Sequence, residues 1–271
     1  MEYTTFKPHK DLSWIVDCYW TLLVPKQDNP KKQRIIPDGF LEMAFILGDD
    51  IKRYTSTKDY ILQPRAMILG QTIDPFYIEP TGYVDTFSIR FIPYGLSHLF
   101  NIKLNSLVNK ETPLDTILGE TEAKELQEQI INAKDAAQRI SHIESFLRKK
   151  LSNPQKIDCL VKSTLDTIFE TLGKKSIQTI VGDSPSLRRK LERKFKKEMG
   201  LSPKQYGKIV RFQAALKMLL NRESENLTEI AHMFDYYDQA HFIKDFKDFT
   251  SLNPKDFLNN DAMALSSIFY K

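Results

Sequence analysis

One segment of this chain occurs twice, and that repeat limits the fold more than composition does. Phe195-Lys196-Lys197-Glu198-Met199-Gly200-Leu201-Ser202-Pro203-Lys204-Gln205-Tyr206 returns 51 residues later as Phe246-Lys247-Asp248-Phe249-Thr250-Ser251-Leu252-Asn253-Pro254-Lys255-Asp256-Phe257. Five of the twelve positions are identical, and Tyr206 meets Phe257. Ahead of each copy the pattern predicts a short apolar helix, a turn and a second, amphipathic helix, the layout of a helix-turn-helix. In such a unit the first helix braces and the second lies in the major groove. Two units in one chain can reach adjacent groove faces without a dimer.

Charge is distributed to match. The formal net charge is only +4, yet residues 174–258 hold 17 basic against 11 acidic side chains, while the remainder holds 22 against 24. Within 186–197 there are seven basic residues and one acid, Glu192. Phosphate neutralisation drives non-specific DNA affinity, so such a cluster is expected on a DNA-facing helix. Alone it would read as a solvated helix face; inside a repeated helix-turn-helix the DNA reading prevails.

Local signals place the side chains. Ser176 N-caps a first helix carrying Ile177, Ile180 and Val181, and Gly182-Asp183-Ser184-Pro185 turns the chain. Leu187, Leu191 and Phe195 then recur every four residues and face inward, leaving Arg189, Glu192, Arg193 and Lys196 on the outer face. Arginine can bind guanine bidentately and glutamate can accept from cytosine, so Arg189, Glu192 and Arg193 are the candidates for bases. Arg188, Lys196, Lys197 and Lys204 are those for phosphates. Glu192 reads equally as half of a surface pair with Arg188 or Lys196. Ser202-Pro203-Lys204-Gln205 carries a capping box that opens a long helix through about Asn221. In the second unit Asn226 and Glu229 form a reciprocal cap, and the recognition helix starts at Asp238. It buries Phe242, Phe246 and Phe249 and presents Gln239, Ala240, His241, Ile243 and Lys244; Gln239, Ala240, His241 and Lys244 are its base candidates. Residues 223–258 hold three basic residues against eight acidic ones, with Asp245 and Asp248 expected to repel phosphate. This unit is expected to add specificity or a partner contact more than affinity.

Residues Arg189 to Tyr206, with Tyr236-Tyr237-Asp238-Gln239-Ala240-His241-Phe242 through Pro254, resemble the two halves of the AraC-type DNA-binding domain, in order and with the connecting helix between them. The chain departs from that family at Ile180 (usually alanine), at Leu187 (often serine), and at Asp235 and Ser251 (usually glycine). The resemblance implies a bacterial transcription factor whose partners are double-stranded DNA and possible RNA polymerase. Trp20, Ile36-Pro37-Asp38-Gly39 and Arg90-Phe91-Ile92-Pro93-Tyr94-Gly95 are similar to sensor domains attached to such regulators. That implies a cupin-like β-barrel used for binding a small-molecule effector, for homodimer formation, or both.

The rest of the pattern agrees with an α+β chain: an N-terminal β-barrel or sandwich (cupin-like) with following helices, then a C-terminal all-α tandem helix-turn-helix domain. Tyr19–Val24, Phe40–Leu47 and Met67–Leu69 read as core strands, and Asp85–Phe91 alternates as a half-buried strand should. Ala123–Ala133, Ala136–Leu151 and Ile157–Leu172 read as helices, broken at Asp135 and Asn153-Pro154. The expected division is a β-rich domain at 1–105, a helical connector at 106–173 packed with it, the DNA-binding domain at 174–258 and a tail at 259–271.

Other function classes find little to stand on. No run approaches ~18 apolar residues, so a membrane partner is not expected. The start of the chain lacks a secretory pattern, and the expected location is cytoplasmic. Five histidines are scattered, Cys18 and Cys159 follow no metal or redox spacing and are expected to fill core positions, and no phosphate loop or nucleophile elbow is present. Neither a cofactor, a metal nor enzymatic activity is expected. The alternatives are a DNA-repair or DNA-modifying protein using an AraC-type module for targeting, and a regulator whose first domain is only a dimerisation scaffold. For an effector pocket the candidates are Trp20, Asp38, Glu42, Arg90 and Tyr94, although Asp38 reads first as a turn residue and Arg90 as a surface strand residue.

Overall fold

The structure, a computed structural model, describes residues 1–151, 157–224 and 226–270. The Asn153-Pro154 break lies outside the described residues. Ten strands occupy the first part: β1 (Glu2–Phe6), β2 (Val16–Val24), β3 (Gln33–Ile35), β4 (Leu41–Ile46), β5 (Ile51–Tyr54), β6 (Tyr60–Leu62), β7 (Ala66–Leu69), β8 (Phe76–Pro80), β9 (Val84–Phe91) and β10 (Glu111–Pro113). They form an antiparallel sheet ordered β1-β2-β9-β4-β7-β10 and a second ordered β3-β8-β5-β6. The two stack as a sandwich. Among the described residues no strand pairing closes them into a barrel.

Four helices cover the outer face of the larger sheet: α1 (Gly95–Leu99), α2 (Leu114–Leu118), α3 (Glu120–Ile131) and α4 (Ala136–Lys150). Phe87, Ile89 and Phe91 of β9 enter the core they share with that sheet, together with Leu126, Ile130, Ile143 and Leu147. The other face of β9 corrects the expectation of a half-buried strand. Thr86, Ser88 and Arg90 are buried as well, because the smaller sheet covers them. In β4 all six residues are buried, the pattern of a strand covered on both faces.

A second core begins with α5 (Cys159–Glu170) and runs through α6 (Ile177–Val181), α7 (Pro185–Met199), α8 (Pro203–Leu220), α9 (Leu227–Met233), α10 (Gln239–Thr250) and α11 (Pro254–Leu258). Val161, Leu165 and Ile168 of α5 pack here rather than on the sandwich. Their apolar stripe meets α7 and α8, so of the helices expected to pack with the first domain only α3 and α4 do so. The expected caps form at Ser176, at Ser202 with Gln205, and at Asn226. Ser184 of the expected turn also caps α7, and Asp238, expected as the first residue of the recognition helix, is its N-cap. Glu229 differs, since its carboxylate accepts from Ser224 Oγ instead of completing a reciprocal cap. Past α11 the chain is folded rather than trailing: a 3-10 turn (Asp261–Met263) and α12 (Ala264–Phe269) lie against β3.

The repeat extends to the backbone. Gly200 ends α7 at φ +84° and Ser251 ends α10 at φ +58°; in each copy a leucine and a capping Ser or Asn before proline follow. A left-handed conformation costs a residue with a Cβ roughly 1–2 kcal/mol. Ser251→Gly is therefore expected to stabilise the protein by about 1 kcal/mol, while Gly200→Ala, whose Cβ would sit 3.2 Å from the Leu104 carbonyl oxygen, destabilises it by at least that much. Thermal unfolding of the two variants checks the pair of opposite signs.

Candidate nucleic-acid interface and ligand pocket

Helix α7 is amphipathic for a simple reason. Leu191, Phe195 and Met199 occupy the second core, so the intervening positions are forced outward. Arg189, Glu192, Arg193, Lys196 and Lys197 are all exposed, and Arg188 is half-buried. Lys194 of the same basic run is diverted, pairing with Asp158, the N-cap of α5. Lys204 is exposed on the first turn of α8.

In the second unit Gln239, Ala240 and Lys244 are exposed, whereas His241 and Ile243 are half-buried. His241 lies edge-on to Tyr236 with centroids 5.3 Å apart, and its backbone N–H donates to Asp238 Oδ1 at 2.7 Å. The Gln239 carbonyl oxygen accepts from Thr228 Oγ1 at 2.9 Å, which orients that amide against the bracing helix. Asp245 is not the DNA-facing repulsive charge the sequence suggested. It is buried, 3.0 Å from Lys208 Nζ and 3.3 Å from Arg211 Nη2, and Arg211 also covers the Tyr236 ring at 4.1 Å. This cluster ties α8 to α10; Asp248 stays exposed. One cleft between the two units brings together Arg188, Glu192, Lys204 and His241, with Lys208 and Arg211 on its floor. The other candidates lie on the exposed helix faces outside that lining.

The sandwich encloses a second site. Glu42 of β4 accepts from Arg90 Nε at 2.8 Å, from Ser88 Oγ at 3.0 Å and from Trp20 Nε1 at 3.2 Å. Three adjacent strands thus converge on one buried carboxylate. Burial works against the Arg90 charge, but Glu42 and Asp38 hold its guanidinium above the usual value. Asp38 Oδ2 lies 3.7 Å from Arg90 Nη2, beyond hydrogen-bond length. Burial pushes the Asp38 carboxyl up to about 6, Arg90 pulling it back and Glu42 adding to the rise.

These groups border a cavity of about 120 Å³, walled by Phe40, Phe76 and Ile78. Of the five expected pocket residues, Trp20, Asp38, Glu42 and Arg90 line it. Tyr94 does not: it precedes α1 and packs against the second core, edge-on to His98. Sequence reasoning missed the opposite wall, where Arg53 Nε lies 2.9 Å from Glu111 Oε2, and the lid formed by Phe269 and Tyr270. The Phe76-Tyr77-Ile78 run was a usable strand signal; nothing local marked the chain end as a pocket wall. Cys18 is half-buried and Cys159 exposed, against the expectation that both fill core positions. Cys159 opens α5, on the side turned to solvent. Burial pushes the Cys18 thiol up to about 12.

Two protein-family models match the chain, a helix-turn-helix domain over residues 187–260 and a domain of unknown function, DUF6597, over residues 4–113. Solved structures of ToxT from Vibrio cholerae are similar. One at 1.65 Å resolution is 11% identical, covers 89% of this chain and 98% of that one, and has a TM-score of 0.48. Another, of wild-type ToxT bound to an unsaturated fatty acid, is 14% identical, with coverages of 88% and 93% and a TM-score of 0.45. None of the curated proteins matches the chain. No described helix is long and apolar enough to cross a membrane.

Two outcomes follow from the geometry. Asp245→Ala leaves two cations without their partner and is expected to cost about 1.5–3 kcal/mol in chemical denaturation. Asp38, ionised at neutral pH with a folded value near 6 and an unfolded value of about 3.9, costs stability above the folded value. That cost disappears as the pH falls through the unfolded value. Asp38→Asn, which can still accept from the Phe40 N–H, should therefore stabilise the protein at pH 7–8 by up to about 3 kcal/mol. The gain should fade between about pH 6 and 4 in unfolding curves collected across that range.

Proposed function

We propose that this chain, a DNA-binding transcription regulator with an AraC-type helix-turn-helix domain, reads one face of duplex DNA with α7 and α10 side by side under control of its sandwich domain. The observation that carries this is the shared cleft, which places Arg188, Glu192 and Lys204 of the first half beside His241 of the second. Arg189, Glu192 and Arg193 read bases from α7. Gln239, Ala240, His241 and Lys244 do so from α10, with Gln239 held by Thr228. Arg188, Lys196, Lys197 and Lys204 hold phosphates. The Asp245 cluster fixes the angle between the units, so their spacing on DNA is set by the fold. On this reading the protein works in the cytoplasm, answers to a small effector bound in the sandwich, and contacts RNA polymerase when it activates.

The DNA-repair alternative finds no support at Cys18, because a nucleophilic cysteine needs a lowered thiol pKa and burial shifts Cys18 the other way. No group of His, Cys, Asp and Glu among the described residues is placed to hold a metal ion. One observation favours homodimer formation. The edge strand β6 carries Tyr60, Ile61 and Leu62, about half exposed each. An apolar sheet edge invites pairing with another strand.

Selection from random duplexes tests the DNA reading. Arg193→Ala should flatten the preference at its base position at a cost of about 1–3 kcal/mol on the selected site. Lys196→Ala should weaken all sequences alike and lower the salt slope by about one. Uniform loss in both variants would refute the face assigned to α7. Ile61→Glu is expected to convert the dimer to monomer in sedimentation analysis.

A further inference from the structure

The last described residues of the chain reach back into the first domain. Lys31 Nζ pairs with Asp261 at 2.5 Å, the Leu265 N–H donates to Gln33 Oε1 at 3.2 Å, and Ser266 Oγ donates to the Arg34 carbonyl at 3.2 Å. Laid along β3 in this way, α12 delivers Phe269 and Tyr270 into the cavity between the sheets. The Phe269 ring lies 5.0 Å from Tyr3 and 5.5 Å from Trp20, and the Tyr270 hydroxyl donates to the Ile36 carbonyl at 3.2 Å. An aromatic ring with one hydroxyl donor already occupies part of the site.

The remaining chemistry defines what could replace it. Glu42 is satisfied by three donors, whereas Asp38 stands 3.7 Å from the guanidinium and the Ile36 carbonyl is free once Tyr270 leaves. Asp38 and the Ile36 carbonyl can take a donor. Arg53 Nε on the opposite wall, buried and without a hydrogen-bond acceptor despite its ion pair with Glu111, can give one, and a hydroxyl meets both demands. A bound anion would be a third beside the two carboxylates that share Arg90. The apolar walls and the cation–π contact of Arg90 with Phe40 at 4.9 Å suit a flat ring. The free volume of about 120 Å³ falls short of the ~150 Å³ that accepts benzene in an apolar cavity, so a ring enters only when Tyr270 withdraws.

We propose that this cavity is a binding site for a small uncharged phenol, and that Phe269 and Tyr270 are its resident occupants, which the phenol displaces. The consequence for DNA rests on the proposed control by the sandwich domain. Residues Ile36–Gly39 touch Tyr270 on one side and α8 on the other: Tyr206 Oη donates to the Gly39 carbonyl at 3.0 Å, and Gln213 Nε2 donates to that of Pro37. Exchange of Tyr270 for a free ligand alters the segment that α8 rests on.

Calorimetry on the full chain with p-cresol, the tyrosine side chain as a free molecule, tests the site without DNA. A self-occupied site binds with an affinity reduced by its open fraction, so Tyr270→Ala should bind p-cresol at least tenfold more tightly than the unaltered chain. Toluene and benzoate should bind the variant at least tenfold more weakly than p-cresol does. Equal p-cresol affinity in the two chains, or benzoate as good as p-cresol, overturns the proposal. Should Tyr270→Ala fail to fold, hydrogen exchange of the unaltered chain decides: saturating p-cresol should expose the amides of residues 264–270, and unchanged protection overturns the displacement. Operator affinity with and without p-cresol then separates the two claims. Binding with unchanged DNA affinity sinks control by the sandwich domain and leaves the site standing.

Discussion

The carbonyl of Gly39 accepts from two donors, Gln71 Nε2 at 2.9 Å and Tyr206 Oη at 3.0 Å, and the architecture turns on it. Gln71 belongs to the sandwich and Tyr206 to the first turn of α8. Gly39 adopts φ +83°, which lets its carbonyl face both partners. A Cβ there would also lie 3.4 Å from the Tyr206 hydroxyl. Tyr206 in turn meets Phe195 of α7 and Phe169 of α5 edge-on, at 6.0 Å each. Helix α7, helix α5 and the sandwich therefore share one buried tyrosine. Ile36, three residues before Gly39, is itself buried in the second core.

How much of this was legible in the sequence depends on whether the determining contacts are local. The caps of the helix-turn-helix units and the four-residue spacing of Leu187, Leu191 and Phe195 are local signals, and the helices they imply form. Leu191 and Phe195 are buried as expected, whereas Leu187, in the first turn, is only half-buried and Met199 completes the inner stripe. Arg90 shows the opposite case. Alternation along β9 reveals that one face is apolar, but not that a second sheet covers the polar face. Only the companions Glu42 and Trp20, 48 and 70 residues earlier in the chain, turn that arginine into a buried hub. The charge count failed at Asp245 for the same reason: an acid on a recognition helix reads as repulsive until Lys208 and Arg211 are seen to neutralise it. Phe269 and Tyr270 were unreadable as pocket residues, because their partners lie more than 200 residues away.

The two halves of the repeat have diverged in how they use charge. In α7 the basic side chains other than Lys194 and the half-buried Arg188 face outward from an apolar core contact. In α10 an acid is spent inside to clamp the spacer helix, and the outward face keeps a glutamine, an alanine and one lysine near its start. On the proposed reading, phosphate attraction resides mainly in the first unit, while the second contributes neutral groups suited to base edges. Because the Asp245 cluster restrains α8 against α10, the second unit can discriminate only at a fixed distance from the first.

The strength of the link between sandwich and DNA reader sets what an effector can do. At segment 36–39 the link consists of a few hydrogen bonds onto main-chain carbonyls, each worth about 0.5–1.5 kcal/mol net, together with the burial of Ile36. Elsewhere Ser97 Oγ donates to the Glu198 carbonyl at 2.6 Å and Gly200 closes on Leu104. These contacts grip the C-terminal end of α7 and would persist through a rearrangement of segment 36–39. A ligand acting through that segment can therefore shift the equilibrium by only a few kcal/mol, the usual size of allosteric coupling. Such a shift changes operator occupancy several-fold to a hundredfold without unfolding either core. On the proposed control, such a regulator would be graded by the occupancy of its pocket, each core keeping its own packing.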